Sequence, residues 1–120
     1  MSDTRKEKRK KVITFTPVYD LGDDILLGYL GDLTTSGALL VSEKPIRIGR
    51  TLNLSVEFRE ASEVPADARI IIPARVVWCK LELHQTYYAT GLEFFEVTSE
   101  NEKIIEDMLE KYEFSRKMPT

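Results

Sequence analysis

Two groups of residues in this chain have types and spacings suited to holding an anionic nucleotide. The first is Arg5-Lys6-Glu7-Lys8-Arg9, in which two guanidinium groups stand four positions apart. Residues at that spacing project to the same side of a helix or a strand, so Arg5 and Arg9 can act on one ligand. A guanidinium fork matches a phosphate's oxygens or the O6 and N7 acceptors of guanine, each bidentate contact being worth roughly 1–3 kcal/mol. The second group is Asp32-Leu33-Thr34-Thr35-Ser36-Gly37. The Asp32 carboxylate suits the N–H donors on guanine's other edge, and Thr34 adds a hydroxyl. Gly37 can take a positive φ and let the backbone turn beneath the base.

Catalytic chemistry finds little support. His84 is the single histidine, in a polar stretch, Glu82-Leu83-His84-Gln85, that reads as a solvated hairpin loop. Cys79 is the single cysteine and follows Trp78 in an apolar run, where a thiol is usually a small packing residue. One cysteine permits no internal disulfide, zinc cage or CxxC redox pair. Ser36 precedes a glycine but has neither the GxSxG frame nor a neighbouring histidine. The acidic residues are scattered, and the glycines form no GxxxxGK phosphate loop. The expectation is a protein that is not an enzyme and carries no metal or cofactor.

The chain has 120 residues, 42% hydrophobic and 31% charged, which suits one ordinary domain with a single core. Its net charge is −3, yet residues 5–11 carry +5, leaving −8 on the remainder. A protein that tracks a long nucleic acid needs a broad basic face. An acidic body with one cationic arm suits a small anion instead, and argues against a nucleic-acid tail. No apolar run follows the basic start to make a signal peptide, and none approaches a membrane span of roughly 18 residues. A soluble, cytoplasmic protein without membrane insertion is expected.

The elements that must position these groups are mostly strands. Val12 to Tyr19 is rich in β-branched and aromatic residues and is expected to form one strand, edge or bulged at Pro17, before a turn at 20–24. Ile25 to Leu33 reads as a second strand, with Gly28 and Gly31 marking a bend or a close backbone approach. Ala38 to Ser42 forms a short third strand. Leu52, Leu54, Val56 and Phe58 alternate with polar residues, the pattern of a half-buried antiparallel strand. Residues 60–67 read as a loop leading to a long strand over 68–80, with Ile70, Ile72, Ala74, Val76 and Trp78 on one face. Residues 86–95 pair back, with Tyr88, Thr90, Leu92 and Phe94 on one side. Six such strands suggest a closed antiparallel β-barrel, because closure removes exposed edges. Ser99-Glu100-Asn101-Glu102 reads as a capping box, and Ile104, Ile105, Met108, Leu109 and Tyr112 then recur at helical spacing. That stripe suits packing on the barrel or on a second copy, so both monomer and homodimer remain open.

Together these residues resemble the PilZ domain family. The family pattern is RxxxR near the N-terminus followed some twenty residues later by (D/N)xSxxG. It is met by Arg5-x-x-x-Arg9 and Asp32-x-Thr34-x-x-Gly37. The segments 37–42, 74–78 and 90–94 also look like family strands, and the resemblance spans about residues 5 to 112. It implies a mainly β, six-stranded antiparallel barrel with a C-terminal α-helix that binds the bacterial second messenger cyclic di-GMP. On that reading a basic flexible arm spans 1–11, the barrel 12–97, the helix 98–115 and a tail 116–120. Carried over by position, the ligand-binding residues are Arg5, Arg9, Asp32, Thr34 and Gly37. Thr34 stands where the family usually has serine; it keeps the hydroxyl and adds a methyl group. Ser36 lies at a variable position and receives no role, while Lys8 and Lys10 add nonspecific attraction for phosphate. The implied function is a receptor or adaptor whose arm changes conformation on binding and signals to an unidentified effector protein, in motility, exopolysaccharide or biofilm control. The alternative is a PilZ-like protein-interaction module that does not bind the nucleotide.

Overall fold

The computed structural model of the protein describes residues 10–58, 69–82, 86–116 and 118. The period-two segments become strands, giving β1 (Lys11–Ile13), β2 (Pro17–Asp20), β3 (Ile25–Leu33), β4 (Gly37–Ser42), β5 (Thr51–Glu57), β6 (Arg69–Leu81) and β7 (Tyr88–Phe94). The helix α1 (Ser99–Lys111) and a last strand β8 (Tyr112–Phe114) follow. Six strands close into an antiparallel barrel in the order β2-β3-β4-β7-β6-β5. Leu30, Leu40, Leu54, Val56, Ile70, Ile72, Ala74, Val76 and Leu92 are buried in one cluster that forms its core. Pro17 pairs with Tyr29 of β3, while the β2–β5 ladder begins only at Val18, so its missing N–H falls where that ladder has not started. Residues 60–67, expected to be a loop, and His84 lie outside the described residues.

The expected strand over 12–19 is two strands. Phe15, at φ 63°, breaks the extended backbone between them. Only β2 enters the barrel; β1 pairs in parallel with β8, Val12 facing Glu113 and Ile13 facing Phe114. The helix accordingly ends at Lys111, not near 115, and Tyr112 turns directly into extended backbone. Burial accounts for the change of conformation. Ile13 and Tyr112 join the core cluster, Phe114 packs against it, and the Phe58 and Phe114 rings lie 6.3 Å apart. A short β-pair with an apolar face thus covers core surface that a continuing helix would turn away from.

The cap also shifts by one residue. Thr98, not Ser99, is the N-cap: its Oγ1 accepts from the Asn101 amide at 3.0 Å and its carbonyl accepts from the Glu102 amide at 2.9 Å. Both residues carry a hydroxyl, but Thr98 holds the extended φ/ψ that an N-cap needs. Asn101 Nδ2 then donates to the Ile71 carbonyl at 2.9 Å, tying the first turn to β6. Ile105, Met108 and Tyr112 are buried, and Ile104 and Leu109 pack beside them, so the stripe is covered by the chain's own core.

The turn at 20–24 is held by a buried carboxylate. Asp20 accepts from the Gly22 amide at 3.1 Å and from Arg50 Nη2 at 2.9 Å. Arg50 neutralises a charge that would otherwise be costly inside the barrel wall. Among the described residues no helix is long and apolar enough to cross a membrane.

Candidate functional site

Asp32, near the end of β3, and Gly37, at the start of β4, flank the β3–β4 connection, and two irregularities in the sheet decide what surrounds them. In β3, Gly31 is an extra residue between Leu30 and Asp32 against β4, so Leu30 and Leu33 both point inward while Asp32 is exposed. In β6, Val77 is the extra residue between Val76 and Trp78 against β7. The expectation that Trp78 continues the inward face of Ile70, Ile72, Ala74 and Val76 is therefore wrong. The bulge resets the alternation, and the indole emerges on the outer surface, 39% exposed.

Between the bulges, the register lines up Asp32, Leu39, Gly91 and Trp78 across the four neighbouring strands β3, β4, β7 and β6. The indole lies over Gly91: a Cβ there would stand 2.2 Å from Trp78 Nε1 and 2.4 Å from Cε2. The absence of a side chain lets the ring reach across β7 towards Leu39. Trp78, Gly91, Leu39, Thr34, Gly37 and Asp32 are among the residues lining a cleft of about 330 Å³. A second cleft of about 320 Å³ adjoins it, with Lys10, Gly31, Glu113 and Phe114 in its walls; Asp32 and Arg116 line both.

The turn itself is organised by one hydroxyl. Thr34 Oγ1 accepts from the Ser36 and Gly37 amides, both at 3.1 Å, and lies 3.3 Å from the Gly37 carbonyl, to which it can donate. The Thr34 amide closes the same turn by donating to the Gly37 carbonyl at 2.9 Å. Thr34 thus spends its oxygen on the backbone, which serine does equally well. Thr34→Val, which keeps the shape and removes the oxygen, is expected to lower stability by about 1 kcal/mol. Thr34→Ser is expected to stay within about 0.5 kcal/mol of the parent. Chemical denaturation midpoints of the two variants check this.

Gly37 is needed for a reason other than the expected one. Its φ is not positive, since Gly49 alone of the described glycines has a positive φ. Instead a Cβ on Gly37 would stand 2.3 Å from the Leu92 carbonyl oxygen, inside the β4–β7 ladder. Asp32 has one oxygen engaged, Oδ1 accepting from the Leu33 amide at 2.9 Å.

Of the residues selected on sequence, Asp32, Thr34 and Gly37 come together here. Arg5 and Arg9 lie outside the described residues, but Lys10, the next residue after Arg9, lines the cleft beside Asp32. Trp78 and Arg116 were not singled out by sequence reasoning as site residues. A glycine facing a tryptophan in the neighbouring strand was the available signal for Trp78. Arg116 had none, because its place depends on β8. Cys79 accepts a hydrogen bond from the buried Thr90 hydroxyl at 3.2 Å, which suits a packing role.

A family model described as the PilZ domain matches residues 3–111. The fold is similar to the PilZ domain with c-di-GMP of YcgR from Escherichia coli, with TM-score 0.56 and 13% identity over 77% of this chain and 76% of that one. It is also similar to the Bacillus subtilis inhibitor of motility MotI/DgrA, with TM-score 0.61 and 14% identity over 90% of this chain and 51% of that one. The match thus spans about half of the latter chain's length. No curated protein sequence matches the chain.

Proposed function

We propose, from the premise that this chain belongs to the PilZ domain family, that it is a cyclic di-GMP receptor that performs no catalytic step and passes its signal to a partner protein. The observation that carries this reading is the position of Lys10 beside Asp32 in one cleft. Lys10 lines that cleft beside Asp32, and in sequence Arg9 immediately precedes it, with Arg5 four residues earlier.

In this mechanism the arm changes conformation on binding. Arg5 and Arg9 hold phosphate and the O6/N7 edge of guanine, and Asp32 accepts from the opposite N–H edge. Thr34 and Gly37 act by holding the turn's shape. The exposed indole of Trp78, with the largely buried Leu39 in the same cleft wall, offers a base a flat apolar surface, and stacking of this kind is worth roughly 1–3 kcal/mol per base. Asp32 and Trp78 stand three strand spacings apart, about 14 Å. A ligand that touches both must be longer than one purine, which suits a dinucleotide better than a mononucleotide.

Ordering the arm costs roughly 1–2 kcal/mol per residue fixed, so several charge-assisted contacts must form before closure is favourable. Closure replaces a cationic segment and an open cleft by a new surface, and recognition of that surface by an effector completes the switch. Motility, exopolysaccharide synthesis and biofilm formation are the processes in which we place it.

Isothermal titration calorimetry of the chain with cyclic di-GMP, beside GTP, tests the reading. Saturable binding of cyclic di-GMP, at least tenfold tighter than that of GTP, is the expected result. No heat, together with no ligand-induced rise in melting temperature, would instead leave a protein-interaction module that does not bind the nucleotide.

A further inference from the structure

We infer that Arg116 is a third arginine of the ligand site, contacting a phosphate of the bound dinucleotide from the end of the β1–β8 pair opposite Lys10. The inference rests on the receptor reading above and adds to it a residue that lies beyond the helix and outside both motifs.

The fold delivers Arg116 to the site in three steps. β8 pairs with β1, and the Ser115 amide continues that pairing by donating to the Ile13 carbonyl at 3.0 Å. The Arg116 carbonyl accepts from the Tyr87 hydroxyl at 3.5 Å, which holds the backbone at the end of β7's approach. The side-chain stem then crosses the bulge in β3: a Cβ on Gly31 would stand 3.1 Å from Arg116 Cγ and 3.2 Å from Leu39 Cδ2. The bulge that turns Asp32 outward therefore also makes the shelf on which Arg116 lies. Arg116 lines both clefts, as Asp32 does, so it stands at the junction where they meet.

Charge gives the arrangement its purpose. Without Arg116, the charged groups lining the two clefts are Lys10, Asp32 and Glu113, a net −1 that repels an anion. Arg116 brings the walls to neutrality, and Arg5 and Arg9 then add the two positive charges that match two phosphodiesters. Arg116 is exposed at the junction of the clefts, where its fork can meet an incoming phosphate. Arginine fits this role better than lysine because its fork meets two phosphate oxygens at once.

Calorimetric titration of cyclic di-GMP into the parent chain, Arg116→Ala and Arg116→Lys, with thermal melts of each without ligand, tests the inference. Alanine is expected to weaken binding roughly 10- to 100-fold, and lysine to recover less than half of that loss on a logarithmic scale. Both unliganded variants are expected to melt with the parent. Parent-like binding by Arg116→Ala would overturn the inference and leave the receptor reading standing. So would a lowered unliganded melting temperature with equal losses in both variants, which would make Arg116 part of the scaffold. Failure of the parent chain itself to bind cyclic di-GMP would overturn the receptor reading, and this inference with it.

Discussion

Arg5→Ala combined with Arg9→Ala is expected to lower affinity for cyclic di-GMP by roughly two to four orders of magnitude. Each guanidinium is proposed to make a bidentate, charge-assisted interaction with the ligand, and removing both at once costs about 3–6 kcal/mol. The effect is larger than for any single wall residue because the remaining described cleft walls carry no net positive charge. The unliganded variant should melt with the parent chain, since the core cluster begins at Ile13. Calorimetry and a thermal melt of the double variant check both halves. Affinity within tenfold of the parent would remove the arm from the mechanism, and an unliganded chain that melts early would give the arm a structural duty instead.

Gly37→Ala is expected to cost about 2–4 kcal/mol of stability, lowering the melting temperature by roughly 10 °C. The added methyl would overlap the Leu92 carbonyl oxygen at 2.3 Å, and its next neighbours, Leu92 C and Glu93 Cα, are also backbone. No side chain can rotate away to relieve the contact. β4 and β7 would have to part at Gly37–Glu93, where the Phe94 amide also donates to the Ser36 carbonyl at 2.9 Å. The same displacement would move the turn that Thr34 organises, so binding should fall with stability. Gly22→Ala is the matched control, because its Cβ would meet only Asp20 Oδ1 at an ordinary 3.5 Å. Equal melting of the two variants would show that the close approach at Gly37 is not what requires glycine.

The two glycine positions also show which kinds of information a linear reading captures. The limits of β3 at Ile25 and Leu33 and the inward faces of β5 and β6 were legible because burial writes a period of two into the chain. The Asp32–Gly37 segment was legible as a turn because Asp, Ser and Gly in close succession favour one, and as a candidate site only beside the Arg5–Arg9 pair. What escaped depends on contacts between distant segments. The bulge at Val77 is a property of the β6–β7 register, and residues 69–81 by themselves read as uninterrupted alternation. Three-residue strands such as β1 and β8 have no period to detect; each exists because the other is there. Asp20 and Arg50 are thirty positions apart, and only barrel closure brings them to 2.9 Å. The choice of Thr98 over Ser99 as cap turned on backbone angles, which two adjacent hydroxyl residues do not distinguish.

The β1–β8 pair has a consequence for how the protein opens. It is a separate two-stranded sheet that shares no ladder with the barrel, so it can come apart while all six barrel pairings stay closed. Such a short pair is marginal by itself and depends on Ile13, Tyr112 and Phe114 for its hold on the core. It is thus expected to open as one local unit in native-state hydrogen exchange, ahead of the barrel, whereas the Tyr112 amide, which donates to the Met108 carbonyl, should follow the helix. The chain on one side of this unit leads to Arg9 and on the other to Arg116, so one local unfolding event releases both cationic approaches to the cleft. A dinucleotide that bridges them would slow that event, and its residence time would be set by the opening rate of six paired residues.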